Sequence, residues 1–250
     1  MKKIIHKIDN DISVIEYEKS NIYIIENILN HSFCDKLKEL IDTLPSNKID
    51  YFNGNNVQCN ISYINELLKT NDEMYYPFTT DLHKHNEILN NINLKKNIYT
   101  NKLNGITKNI IEKYNSEIDE IMMKINNIMA DINKHIIFDY NSGYILRKIY
   151  GATRLHIDNI SEIYNNNNVN FMKKNKKNDL LLVRNASIIF TLNDDYDGGM
   201  FNFPYYDITM KMKKGSVIIF PPYWTHEHQV YEVENNTHRY TLSTWSCMKI

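Results

Sequence analysis

A histidine and an aspartate two positions apart, His156 and Asp158 in the stretch YGATRLHID, are the first pair in this chain able to do chemistry together. On an extended strand, residues i and i+2 point to one face, so an imidazole and a carboxylate so spaced can hold one side of a divalent cation. Alone, the pair is a weak signal, because a local hydrogen-bonded couple has the same spacing. Farther along, FPPYWTHEHQV offers His226 and His228, and Arg239 follows His228 by eleven residues in HRYTLSTW. Two imidazoles and one carboxylate on one face of a metal leave three positions open, which suits non-haem Fe(II) in oxygen chemistry. Those positions can take a bidentate 2-oxo acid and then dioxygen. An arginine at the far end of such a pocket can grip the acid's distal carboxylate through a forked pair of hydrogen bonds. His226 and His228 point the same way on a strand, so parity leaves both open as the third ligand.

Other chemistries find less support. No GxSxG nucleophile elbow is present. Gly198-Gly199 is not followed by a helix opening on Lys-Ser/Thr, so it reads as a hairpin turn and not as a phosphate loop. His83 and His85 have no carboxylate or cysteine at useful spacing and read as surface or core histidines. The run KKNKKND at 173–179 lacks interleaved aromatics and reads as a solvated loop, which argues against nucleic acid as a partner.

The candidate ligands need a scaffold, and the chain changes character at Gly143 to supply one. From there it reads as short strands: Tyr144–Tyr150, Arg154–Asp158, Ser187–Asn193, Met200–Phe203, Asp207–Met212, Ser216–Phe220, Tyr223–Val233 and Arg239–Cys247, with turns at Asp197-Gly198-Gly199 and Lys214-Gly215. That rhythm predicts an antiparallel barrel or a double-sheet jelly roll. Residues 161–179 form an Asn- and Lys-rich insertion, a solvated loop in the place a lid would occupy. Before Gly143, ISVIEYE and NIYIIENIL read as strands. A helix follows, capped by Ser32 with Asp35 three residues on; Phe33, Leu37, Leu40, Ile41 and Leu44 form its apolar stripe. Residues 46–60 read as a polar loop, and 61–140 as mostly helical. The clearest helix there runs over 106–136, where Ile110, Tyr114, Ile118, Ile121, Ile125, Ile128 and Ile132 recur at helical spacing.

The linked pieces of the C-terminal half resemble the Fe(II)- and 2-oxoglutarate-dependent dioxygenases, in particular their prolyl 4-hydroxylase-like branch. YGATRLHID is similar to the strand bearing the proximal ligands, FTLNDDYDGGMFNFP to the family's hairpin, and MKKGSVIIFPP to the turn and strand before the distal ligand. HQVYEV with HRYTLSTW is similar to the distal-histidine and cosubstrate strands. The resemblance covers about residues 143–247, and more loosely the entry NIYIIENILNHSFCDKL. It implies an α+β chain with a double-stranded β-helix (jelly roll) core and N-terminal supporting helices. Residues 1–142 would form the support region packed on a core of 143–250, within a single domain. It further implies that His156, Asp158 and His228 ligate iron and that Arg239 and Ser243 bind the distal carboxylate of 2-oxoglutarate. Tyr150, with Tyr144 second, would give a phenol hydrogen bond to the same cosubstrate. The spacing to Arg239 favours His228 as the distal ligand and leaves His226 behind the ligands or on the substrate side. Trp245 matches a family aromatic, read here as a core side chain. The metal centre carries the chemistry, with no separate catalytic residue.

The expected activity is hydroxylation of a C–H bond in a protein or peptide, such as a prolyl residue, with Fe(II), 2-oxoglutarate and dioxygen, and with ascorbate (vitamin C) supporting turnover. The alternative is a non-catalytic metal-binding jelly roll acting as a binding or structural module. The totals fit either reading. A 250-residue chain with net charge -1 and 42% hydrophobic residues is long enough for one sizeable core and lacks the basic balance of a nucleic-acid binder. No apolar run is long enough to span a bilayer, and the charged N-terminus does not read as a signal peptide. With three scattered cysteines, this leads to the expectation of a cytoplasmic protein with reduced thiols.

Overall fold

The computed structural model describes residues 1–43, 47–50, 58–63, 76–77, 108–136, 138, 140–141, 144–158 and 182–249. Within these, the strands are β1 (Lys3–Lys7), β2 (Ser13–Tyr17), β3 (Ile22–Glu26), β4 (Asn47–Asp50), β5 (Gln58–Tyr63), β6 (Tyr76–Pro77), β7 (Tyr140–Asn141), β8 (Ile145–Ile149) and β9 (Thr153–His156). They continue with β10 (Leu182–Thr191), β11 (Asp197–Gly198), β12 (Phe201–Phe203), β13 (Ile208–Met210), β14 (Val217–Phe220), β15 (His228–Val230), β16 (Val233–Glu234) and β17 (Arg239–Lys249). The helices are α1 (His31–Thr43) and α2 (Lys108–Ile132).

Two sheets make the jelly roll. The larger has eleven strands, with the path β1-β2-β3-β14-β10-β17-β8-β5-β4 and β6 and β7 attached beside β17. The smaller has four, in the order β13-β12-β15-β9. All described pairings of the path are antiparallel, including β10 with β17 and β17 with β8. Strands from before residue 142 are therefore hydrogen-bonded into the large sheet, at β3 against β14 and at β5 against β8.

Strand alternation explains how one large sheet serves two layers. On β14, Val217 and Ile219 join the cluster that holds Leu37, Ile41, Ile118, Met122 and Ile125 of the helices. Their neighbours Ile218 and Phe220 turn to Phe201, Phe203 and Val230 of the small sheet. On β17, Tyr240 and Leu242 face the helices, while Arg239, Thr241, Ser243 and Trp245 face a cavity between the sheets. Each fully buried aliphatic side chain of this kind contributes about 1.5–3 kcal/mol, which fixes the sheets and hence the cavity walls.

Several expectations are refined. The cap of α1 is Asn30, two residues before Ser32. Its Oδ1 accepts from the Ser32 amide at 2.9 Å, and its carbonyl accepts from Phe33 and Cys34. The polar stretch 46–60 is not simply a loop, because β4 and β5 lie at its ends and pair Asn47 with Ile61 and Asp50 with Gln58. β5 and β6 also interrupt the expected helical middle, in which α2 spans 108–132. The charge-rich start forms β1, paired with β2, although no alternating apolar signal marks it. The expected strand 223–233 is broken into a 3-10 turn at Trp224–His226 and two short strands. The turn at 197–199 is present with Gly198 at φ +66° and Gly199 at +61°, and a Cβ on Gly198 would lie 2.1 Å from the Glu232 carbonyl oxygen. His83, His85 and the insertion 161–179 lie outside the described residues. Among the described residues, no helix is long and apolar enough to cross a membrane.

Candidate metal centre and cosubstrate cavity

β9 and β15 lie side by side in the small sheet, with His156 directly opposite His228. Asp158 follows two residues after His156, just past the end of β9. The pairing brings the two imidazole centroids to 4.4 Å. Asp158 Oδ1 lies 3.6 Å from His156 Nε2 and 3.9 Å from His228 Nε2. One ligand atom from each of the three residues lies within 4.8 Å of the others, a spacing that a single cation can bridge.

The surroundings aim these atoms. His156 Nδ1 meets the Arg154 carbonyl at 2.8 Å, and His228 Nδ1 meets the His226 carbonyl at 3.0 Å. A carbonyl only accepts, so each Nδ1 carries the proton and each Nε2 presents its lone pair. Asp158 Oδ2 accepts from Ser187 Oγ at 2.6 Å and from Trp245 Nε1 at 3.1 Å, which leaves Oδ1 turned to the imidazoles. Arg184 secures the same corner. Its Nη1 donates to the Asp158 backbone carbonyl at 2.7 Å, and its guanidinium lies 3.9 Å from the Trp245 ring centroid.

The electrostatics favour the protonation states that a metal needs. Burial alone would raise the Asp158 carboxyl pKa, but the neighbouring His156 and His228 imidazoles and the Ser187 hydroxyl hold it well below the usual carboxylate range. Burial pushes His228 down to about 4, against the pull of Asp158. At neutral pH the carboxylate is charged and this imidazole is neutral. His156, Asp158 and His228 thus fit a ferrous ion in donor type and spacing, and Asp158 and His228 fit it in protonation as well.

The three face a cavity of about 120 Å³ whose other end is cationic. Arg239 lines it at 2% exposure, with its guanidinium 4.5 Å from the Phe201 ring centroid. Its Nε and Nη2 are buried and have no hydrogen-bond partner among the described residues. Burial lowers the Arg239 pKa, the nearby Tyr196 phenol opposes that, and the charge of Arg147 adds to the lowering. A buried guanidinium with unsatisfied donors costs several kcal/mol unless an anion meets it. Ser243, at 1% exposure, lines the same end.

Two expected members lie elsewhere. Tyr144 is buried in the helix-side cluster, where its hydroxyl donates to Asp119. The Tyr150 ring packs edge-on against His238 at 4.7 Å, and neither tyrosine lines the cavity. The physical reason is strand parity: Arg147 and Ile149 of β8 line the cavity, whereas Leu146 faces the helices. His226 is also placed apart from the three. It closes the 3-10 turn, with Nε2 on the Ser20 carbonyl at 2.6 Å and Nδ1 on Thr225 Oγ1 at 2.8 Å, so both ring nitrogens are engaged. Sequence reasoning missed Arg147, Ser187 and Arg184. Parity along β8 could have found Arg147; the other two act across strands distant in sequence.

Residues 146–247 match the model of the 2OG-Fe(II) oxygenase superfamily. No curated protein sequence matches the chain. Among solved structures, a prolyl hydroxylase from Trichoplax adhaerens, in complex with a hypoxia inducible factor oxygen degradation domain peptide fragment, is similar. It shares 13% identity over 91% of this chain and 84% of that one, with a TM-score of 0.50. The viral collagen prolyl hydroxylase of Paramecium Bursaria Chlorella virus-1 shares 14% identity over 91% and 96% of the two chains, with a TM-score of 0.48. An oxidoreductase of the 2OG-Fe(II) oxygenase family from Burkholderia pseudomallei shares 12% identity over 90% and 84%, with a TM-score of 0.49. At these identities the likeness is one of fold.

Proposed function

We propose that this protein is a 2-oxoglutarate-dependent oxygenase that hydroxylates a C–H bond of a protein or peptide, with a prolyl residue the foremost candidate. The observation that carries the reading is the joint presence, in one cavity, of the His156–Asp158–His228 cluster and the buried Arg239 with its unpartnered nitrogens. A purely structural metal site closes its coordination sphere and has no use for a buried cation across a cavity. The non-catalytic alternative leaves that cation without a purpose.

In this reading His156, Asp158 and His228 hold Fe(II), which supplies open positions for a 2-oxo acid and dioxygen. Arg239 and Ser243 bind the distal carboxylate of 2-oxoglutarate and so set how the acid lies. Ile149, Ile189, Phe201 and Val230 line the cavity with apolar surface and exclude water around that ion pair, which strengthens it. Ser187 and Trp245 hold Asp158 in one rotamer, and the Arg154 and His226 carbonyls hold the imidazole tautomers. The peptide assignment draws on the prolyl 4-hydroxylase-like motifs of residues 143–247.

The test is incubation of the purified chain with Fe(II), 2-oxoglutarate, dioxygen and a peptide library, with and without ascorbate. Succinate release together with peptides heavier by one oxygen atom is the expected result, with ascorbate prolonging turnover. Absence of 2-oxoglutarate consumption across the library refutes the proposal.

A further inference from the structure

Asp158 stands beyond the β9–β15 ladder, whose last pair is His156 with His228. It follows the outer-edge strand of the small sheet, where backbone opens most readily. What holds it comes from the other sheet. On β10, Ala186, Ile188 and Phe190 face the helices, and Ser187 faces Asp158. Strict alternation would turn Arg184 toward the helices with Ala186. The register of β10 against β17 shifts between these two residues, so that Arg184 pairs with Cys247 and Ala186 with Ser246. The extra residue, Asn185, brings Arg184 to the same side as Ser187, the re-aiming that a β-bulge performs beside a site. Ser187 then reaches the Asp158 carboxylate, and Arg184 Nη1 reaches the Asp158 backbone carbonyl at 2.7 Å. The same guanidinium lies 3.9 Å from the Trp245 ring centroid, and Trp245 Nε1–H donates to Asp158 Oδ2. Arg184 is itself anchored: it is buried, and its carbonyl accepts from the Tyr223 phenol at 2.9 Å.

We propose that Arg184 is a positioning residue for the metal ligand Asp158, placed by the Asn185 bulge and acting at two points: the ligand's backbone carbonyl and, through the Trp245 ring, its carboxylate. The inference rests on the reading of His156, Asp158 and His228 as a metal centre. Arg184 has only donor nitrogens and ligates nothing itself. It fastens Asp158 to the large sheet, so the separation of Oδ1 from the imidazoles is set before a metal arrives. A guanidinium suits this task, since its planar fork can donate in its own plane while its face packs on an aromatic ring.

The test is Co(II) binding to the full chain without turnover, read by calorimetry for affinity and by visible d–d absorption for ligand geometry. R184M should bind Co(II) about tenfold to a hundredfold more weakly, the effect of deleting an outer hydrogen bond to a ligand, and its absorption band should change. R184K, which keeps a charged donor, should restore part of the affinity. R184M in the W245F background should cost less than R184M alone, because part of its effect passes through the indole. I41A, which opens the helix-side cluster, is the control for a merely structural role: it should lower the melting temperature and leave Co(II) affinity and absorption unchanged. Should R184M fail to fold, R184Q, a shorter and neutral donor, must show the weakening. Unaltered Co(II) affinity and absorption in R184M or R184Q, or an equal loss in I41A, overturns the role of Arg184 while the metal centre stands. If the wild type binds no Co(II), the metal-centre reading falls and the role of Arg184 falls with it.

Discussion

The indole Nε1–H of Trp245 donates to Oδ2 of Asp158 at 3.1 Å, joining the central strand of the large sheet to the candidate metal centre. With Ser187 on the same oxygen, it leaves only Oδ1 to face the imidazoles. W245F keeps the ring and removes the donor. It should weaken Mn(II) or Fe(II) binding by about ten- to a hundredfold, the usual effect of deleting an outer hydrogen bond to a ligand. Metal titration by calorimetry checks this, and unchanged affinity would mean that Ser187 alone orients the carboxylate.

The two histidines of THEHQV should separate cleanly. H228A removes one of the three converging atoms and should abolish stable metal binding. H226A should keep it and lose thermal stability instead, because it breaks the bond to the Ser20 carbonyl. Mn(II) electron paramagnetic resonance of the two variants reads the difference. Metal retained in H228A and lost in H226A would reverse the assignment.

Arg239 should show a trade of stability against binding. R239M replaces a buried guanidinium by an apolar chain of similar length. Without ligand, the variant should be more stable by about 1–4 kcal/mol, as when buried charges are replaced by packed apolar groups. The stabilisation that 2-oxoglutarate gives the Mn(II)-loaded wild type should vanish. Urea melts with and without 2-oxoglutarate measure both. A variant that is less stable and still stabilised by 2-oxoglutarate contradicts the assignment.

His226 predicts an acid limb in stability. Burial lowers its pKa below 6.5, and the Ser20 carbonyl only partly opposes this. The folded state therefore prefers the neutral ring. Its contribution is complete above pH 6.5 and is lost as pH falls through the lower folded value, where the unfolded chain binds the extra proton. Metal-free denaturation midpoints between pH 7.5 and 5 should fall more steeply in wild type than in H226Q, as an order-of-magnitude expectation from that linkage. Parallel curves would assign the acid sensitivity to other groups.

How far the site could be read in the chain depended on whether the information was local. His156 and Asp158 are two residues apart, and the strand rhythm after Gly143 encodes the jelly roll through burial on alternating faces. Both are properties of neighbouring residues, and the cluster with His228 follows the expected strand order. The family resemblance implied Tyr150 as a contact to the cosubstrate, but β8 turns Arg147 and Ile149 to the cavity instead. Ser187 and Arg184 could not be found from spacing, since their partner Asp158 is far away in sequence and is met only through the closure of two sheets. β1 went unread for a related reason: its charged, exposed residues carry no core signal, and the strand exists through its pairing with β2.

The two halves of the cavity stand on unequal footings. β17 runs through the middle of the large sheet, bonded to β10 along one side and to β8 and β7 along the other. β9, with His156, forms the outer edge of the four-stranded sheet. Amide hydrogens of β17 should therefore exchange with solvent only on global opening, while those of β9 exchange through local fraying. Under mild denaturant the edge that carries His156 should therefore loosen before the strand that carries Arg239 and Ser243.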